Sequence, residues 1–133
     1  MKIFLGGTYA ETDWRGILKP LLTVDYFDPV VEDWNEACQA IEEEEKNKFC
    51  NVHLYVITSE MTGVFSIAEA IESAMLDGKE AVFYVLTKGF TKSQLGSLQA
   101  VAKMVRKYGG HTGRYYATTS LVDIADYLNN MET

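Results

Sequence analysis

Short apolar runs alternate with amphipathic stretches along the whole chain. Lys2–Leu5 is an apolar strand that ends in the turn-forming Gly6-Gly7-Thr8. A helix is expected from Asp13, a good N-cap, with Trp14, Ile17, Leu18, Leu21 and Leu22 as its apolar stripe, although Pro20 removes an internal donor. Val24–Phe27 is a second strand closed by Asp28-Pro29. Asp33 then caps a helix carrying Trp34, Ala37, Cys38, Ala40 and Ile41, and the charge run Glu42–Glu45 forms its solvated outer end before Lys46 and Lys48. Val52–Ile57 is a nearly continuous apolar run, as suits a parallel strand buried on both faces, interrupted by His53, which is expected to be a hydrogen-bonded core residue.

The second half repeats the alternation. Val64–Met75 has helical spacing and is followed by Asp77-Gly78, a C-cap signal; Ala81–Leu86 is a fourth strand. Ser93–Tyr108 is a long amphipathic helix with Leu95, Leu98, Val101, Ala102 and Val105 inward, stopped by Gly109-Gly110. Tyr115–Ala117 is expected as a short fifth strand, and Ser120 caps a last helix through Leu121, Ile124, Ala125 and Leu128. Five strands alternating with five helices predict an α/β flavodoxin-like three-layer sandwich with a parallel sheet in the order 2-1-3-4-5, built as one domain over residues 1–133. Such a sheet binds ligands at the carboxyl ends of strands 1 and 3, where the strand order reverses. The loops Gly6–Asp13 and Thr58–Gly63 are therefore where chemistry is expected.

Composition narrows the classes. In 133 residues, 12 Lys and Arg face 19 Asp and Glu, a net charge of −7 that gives no field for a nucleic-acid polymer or an anionic membrane. The apolar start is too short for a signal peptide and no window reaches the length of a bilayer span, so a cytoplasmic protein is expected. Cys38 and Cys50 lack metal or redox spacing and are expected as buried free thiols; no metal or other cofactor is called for. G-x-G-x-x-G and G-x-x-x-x-G-K-[ST] are both absent from the sequence.

Within the two loops, Gly7, Thr8, Tyr9 and Asp13 form a small, polar rim, with Trp14 and Arg15 opening the next helix. In the following segment Glu69 shares a helix side with Ser66 and Ser73. That arrangement suits either a crevice carboxylate or the solvated face of an ordinary helix.

The ordered set Lys2-Ile3-Phe4-Leu5-Gly6-Gly7-Thr8, Trp14-Arg15, Phe27-Asp28-Pro29-Val30-Val31-Glu32-Asp33-Trp34 and Tyr55-Val56-Ile57-Thr58, followed by Met61-Thr62-Gly63-Val64-Phe65-Ser66-Ile67-Ala68-Glu69, resembles the nucleoside 2-deoxyribosyltransferase-like family from Lys2 to about Leu128. The resemblance implies that Glu69 is a nucleophile attacking C1′ of a 2′-deoxynucleoside, with a deoxyribosyl-enzyme intermediate and transfer of the sugar to a second nucleobase. It also implies a homo-oligomer. Candidate binding roles follow: Asp13, Asp28 or Asp33 to bond the base or supply its proton, and Tyr9, Trp14 and Trp34 to stack on it. Ser66 and the amides after Gly63 would hold sugar hydroxyls or a 5′-phosphate. Where family members often carry an aspartate entering strand 3 this chain has Asn51, and Thr62-Gly63 stands where many have another. Two alternatives stay open: a deoxynucleoside 5′-monophosphate N-hydrolase, for which Arg15 is the only cation in the first loop, and a non-catalytic nucleotide- or flavin-binding module.

Overall fold

A computed structural model describes residues 1–113 and 120–131. Its strands are β1 (Lys2–Gly7), β2 (Asp25–Phe27), β3 (Val52–Ile57), β4 (Glu80–Val85) and β5 (His111–Thr112), all parallel in one sheet of order β2-β1-β3-β4-β5. The helices are α1 (Trp14–Leu18), α2 (Glu36–Glu44), α3 (Phe65–Met75), α4 (Lys92–Lys107) and α5 (Leu121–Asn129). The flavodoxin-like α/β sandwich expected from the alternation is thus the fold. The last strand forms at His111–Thr112; the expected strand Tyr115–Ala117 lies outside the described residues.

Alternate residues of the central strands fill two cores. Ile3, Leu5, Val52, Leu54, Val56, Val82 and Tyr84 pack with Trp14, Leu18, Ile124 and Leu128 on the face covered by α1 and α5. On the opposite face Tyr55, Ile57, Ala81 and Phe83 meet Ala70, Ala74, Leu98, Ala102 and Val105 of α3 and α4. Capping is local and legible: Thr91 and Gln94 form a capping box on α4, and Ser120 and Asp123 do so on α5. No helix among the described residues is long and apolar enough to cross a membrane.

Three local expectations are corrected. The helix from Asp13 is α-helical only to Leu18. Pro20, which cannot donate, sits in a 3-10 turn over Lys19–Leu21, and Ile17 and Leu21 face out. Asn35, not Asp33, caps α2: its Oδ1 accepts from Cys38 N at 3.0 Å. Strand β1 runs on through Gly6 and Gly7 because a glycine is needed at each. A Cβ on Gly6 would lie 2.7 Å from the Tyr55 ring, and Gly7 (φ +117°) has no room for one against the Val56 backbone.

None of the residues of α2 is fully buried, and the helix passes at Glu45–Phe49 into one π-helical turn. Its inward positions are Cys38, Glu42 and Lys46, four residues apart, which are half-buried, half-buried and buried. Beneath it lies an open pocket rather than a packed interface.

Candidate functional site

That pocket, about 400 Å³, lies at the carboxyl ends of β1 and β3 between α2 and α3. Phe4, Gly6 and Gly7 form its floor, Pro29, Val30, Val31 and Trp34 one wall, Ser66 and Glu69 the other, with Tyr9, Arg15 and Glu42 completing the lining. Tyr9 and Trp34 are 73% and 56% exposed at its mouth. Val64 and Phe65, beside the start of α3, are exposed as well.

Glu69 is the carboxylate of the pocket that pairs with a cation. Its Oε2 accepts from Lys46 Nζ at 2.6 Å, with side chains only 17% and 11% exposed. Among the described residues this is its one hydrogen bond, which leaves Oε1 without a protein partner. The N-terminus of α3 is a full turn away, so the Lys46 ammonium, rather than the helix dipole, is the positive charge beside Glu69. Burial opposes the charge on Lys46, but the Tyr55 and Glu69 oxygens more than offset it, and its pKa is raised.

Lys46 is itself held by a chain of hydrogen bonds that starts at its carbonyl. His53, fully buried in β3, places Nε2 2.8 Å from the Lys46 carbonyl and Nδ1 2.8 Å from Ser73 Oγ. A carbonyl can only accept, so Nε2 carries the proton and Nδ1 accepts from the Ser73 hydroxyl. The Ser73 oxygen then accepts from the Tyr55 hydroxyl at 2.9 Å, and the Tyr55 oxygen is an electrostatic neighbour of the Lys46 ammonium. Burial pushes the Tyr55 phenol up to about 12 and His53 down to about 4, so both stay neutral at physiological pH. His53 is the hydrogen-bonded core residue its context suggested. Ser73, by contrast, is buried rather than part of a solvated helix face.

Of the residues singled out in the sequence, Gly7, Tyr9, Trp34, Ser66 and Glu69 line this one pocket. The others serve elsewhere. Trp14 is 1% exposed and its indole N–H donates to the Thr8 carbonyl at 2.8 Å, so it cannot stack on a ligand. Thr8 Oγ1 accepts from Thr58 N at 2.9 Å, locking the ends of β1 and β3 together. Asp13 caps α1 through Gly16 N. Asp28 accepts from Lys19 Nζ at 2.8 Å and from Val30 N at 3.0 Å, and it borders a second, smaller hollow with Asp13. Asp33 and Gly63 are exposed and outside the pocket lining. Asn51 lies at the other end of the sheet, where its Oδ1 accepts from Lys2 N at 2.9 Å. Asn51 lies two residues before His53, the register partner of the pocket residue Phe4, about 7 Å along the strand; with its Oδ1 engaged it stays outside the pocket lining.

Arg15 borders the pocket, but its guanidinium is consumed by the fold. Nε, Nη1 and Nη2 donate to the carbonyls of Leu5, Thr8 and Gly7 at 2.8, 2.9 and 3.3 Å, and the group lies 4.3 Å over the Trp14 ring. The residues missed in the sequence are Glu42 and Lys46, hidden in a charge run that reads as solvated. Their signal was the repeat Cys38, Glu42, Lys46 at helical spacing.

The fold and pocket define a parallel α/β domain with a half-buried carboxylate–ammonium pair at its switch point. Comparison with family models, with curated proteins and with solved structures gives no match for the chain. Among the described residues, no group of three or more His, Cys, Asp or Glu is placed to hold a metal ion.

Proposed function

We propose that the protein cleaves the N-glycosidic bond of 2′-deoxynucleosides through Glu69 and transfers the deoxyribosyl group to a second nucleobase, as a nucleoside 2-deoxyribosyltransferase. The observation that carries this reading is the Glu69 carboxylate, anchored through Oε2 on Lys46 and unpartnered at Oε1, in a pocket whose rim is aromatic. Resemblance of the ordered segments to the deoxyribosyltransferase-like family supports the substrate class.

In the first half-reaction Oε1 attacks C1′ while the C1′–N bond breaks, and the bonding pair leaves with the base. In the second, a nitrogen of another base attacks C1′ and the carboxylate is released. Lys46 holds the nucleophile in place. Ser66, one helical turn before Glu69, is placed for a sugar hydroxyl, and Tyr9 and Trp34 for the faces of the base. A ligand seated there would also cover part of the exposed apolar mouth; a second copy of the chain would cover Val64 and Phe65.

The nucleoside is favoured over the 5′-monophosphate as substrate. A phosphate needs a free cation or a cluster of free amides, and the Arg15 donors already serve three carbonyls.

The test is incubation of purified protein with 2′-deoxynucleosides, with and without a free acceptor base, followed by chromatography of the products. Exchange of base is expected, with a loss of about 10⁴-fold or more in Glu69→Ala. Absence of both exchange and base release with every deoxynucleoside, or turnover undiminished in Glu69→Ala, would overturn the reading.

A further inference from the structure

A departing nucleobase needs a proton, and neither Asp28 nor Asp33 is placed to give it: Asp28 is held by Lys19 and the Val30 amide, and Asp33 lies outside the pocket. The pocket holds a second carboxyl group instead. Glu42, on the inward side of α2, faces Glu69 of α3 across the cavity, with the Trp34 indole beside it in the lining. Resting on the glycosidic reading above, we propose that Glu42 is the general acid and base of the reaction, giving its proton to the leaving base and recovering one from the incoming base.

The geometry distributes one positive charge unequally between two carboxyl groups. The Lys46 ammonium is bonded to Glu69 at 2.6 Å, whereas no ammonium or guanidinium is bonded to Glu42 among the described residues. Two carboxylates in one half-closed site repel, and the group without the cation takes the proton more readily. The charged or polar groups around Glu42 are Glu69 on α3, Lys46 on the π-helical turn, Trp34 ahead of α2, Glu43 beside it, and Arg15 on α1. Burial, and then the negative charge of Glu69, raise the Glu42 pKa; Lys46 and the Trp34 N–H oppose them without reversing the direction.

The step balances. As Oε1 of Glu69 bonds to C1′, the electrons of the C1′–N bond pass to the base nitrogen, and the Glu42 carboxyl proton moves onto the base. In the return half the Glu42 carboxylate takes the proton from the acceptor nitrogen as that nitrogen bonds to C1′ and the bond from Glu69 breaks. No redox partner is needed.

The experiment compares wild type, Glu42→Gln and Glu69→Gln on two substrates, 2′-deoxyguanosine and its N7-methylated form. The methylated base already carries a positive charge and leaves without a proton. Read as release of the first base in a single turnover without acceptor, Glu42→Gln should lose 10²- to 10⁴-fold on 2′-deoxyguanosine, the range for a general acid, and less than tenfold on the methylated substrate; Glu69→Gln should lose both activities. A merely structural role would lower both substrates equally. In parallel, NMR of protein carrying ¹³C-labelled glutamate should show Glu42 titrating above the free-glutamate range, and falling when Glu69→Gln removes the neighbouring charge.

Equal losses on both substrates, undiminished activity in Glu42→Gln, or a Glu42 signal that titrates in the ordinary range would overturn the acid role and leave Glu69 standing. Wild-type protein inactive on both substrates and on every other deoxynucleoside would overturn the glycosidic reading, and the role of Glu42 with it.

Discussion

The two sides of the crevice carry similar numbers of polar side chains but use them differently. On the α1 side Thr8, Asp13, Arg15 and Asp28 bond to backbone or to one another: a cap, a strand lock, three carbonyls satisfied by one guanidinium, and an ion pair with Lys19. On the α2–α3 side Glu42, Ser66 and Glu69 line a cavity, and Glu69 keeps an oxygen free. Polar residues next to a glycine turn are thus not automatically ligand groups. A side chain is available for chemistry only when the fold has not already filled its hydrogen-bonding capacity.

The largest expected effect tests the structural side. Arg15→Ala should destabilise the protein by about 4 kcal/mol, on the order of 15 °C in Tm, because it removes a buried cation that packs on Trp14, donates to the carbonyls of Leu5, Thr8 and Gly7 and pairs with Asp28. Thermal unfolding by circular dichroism measures it. If Arg15→Ala kept wild-type stability but lost processing of 5′-phosphorylated nucleosides, the division between the two sides would fail and the monophosphate substrate would gain ground.

A somewhat smaller effect probes the support beneath the reactive side. His53 titrates near 4 in the native protein and near 6.5 when unfolded. Above pH 6.5 both states are neutral and this histidine adds no pH dependence. As pH falls from 6.5 to 4 the unfolded chain takes up a proton that the native state refuses, so stability drops by about 1.4 kcal/mol per unit, about 3 kcal/mol in all. Urea unfolding across that range should show the decline in wild type. The slope should be shallower by that amount in His53→Gln, which retains a donor for the Lys46 carbonyl. Equal slopes would mean that the chain of hydrogen bonds behind Lys46 does not depend on a neutral histidine.

The same contrast explains what the sequence made legible. The strands, both cores and the caps at Ser120 and Asp13 follow from hydrophobic period and cap chemistry, which are local, while the strand order follows from the α/β alternation as a whole. Glu69 was legible as a residue sharing a helix side with Ser66. Its partner was not, because the pairing of Lys46 with Glu69 spans 23 residues and depends on where α2 crosses the sheet. Glu42 was hidden for a related reason: a helix that stands off its sheet over a cavity has the composition of a solvated helix. Asn51 misled in the opposite way, since its place at the entrance to β3 identifies a strand neighbour but not which end of the sheet holds the pocket.

The smallest expected change in stability gives the sharpest contrast, because it sets one tryptophan against another. Trp14 and Trp34 are equally attractive as stacking residues in the sequence, yet one is 1% exposed and the other 56%. Trp34→Ala should alter stability by no more than about 0.5 kcal/mol, as an exposed substitution does, while weakening nucleoside binding about tenfold or more through loss of a stacking face. Trp14→Ala should do the reverse in kind, unfolding the α1 side by about 3–5 kcal/mol through a large core cavity. Calorimetric titration with a deoxynucleoside, paired with thermal melts, separates the two. Unchanged affinity in Trp34→Ala would place the base elsewhere in the pocket, against Tyr9 or the Val30–Val31 wall; lost stability would show that Trp34 belongs to the scaffold after all.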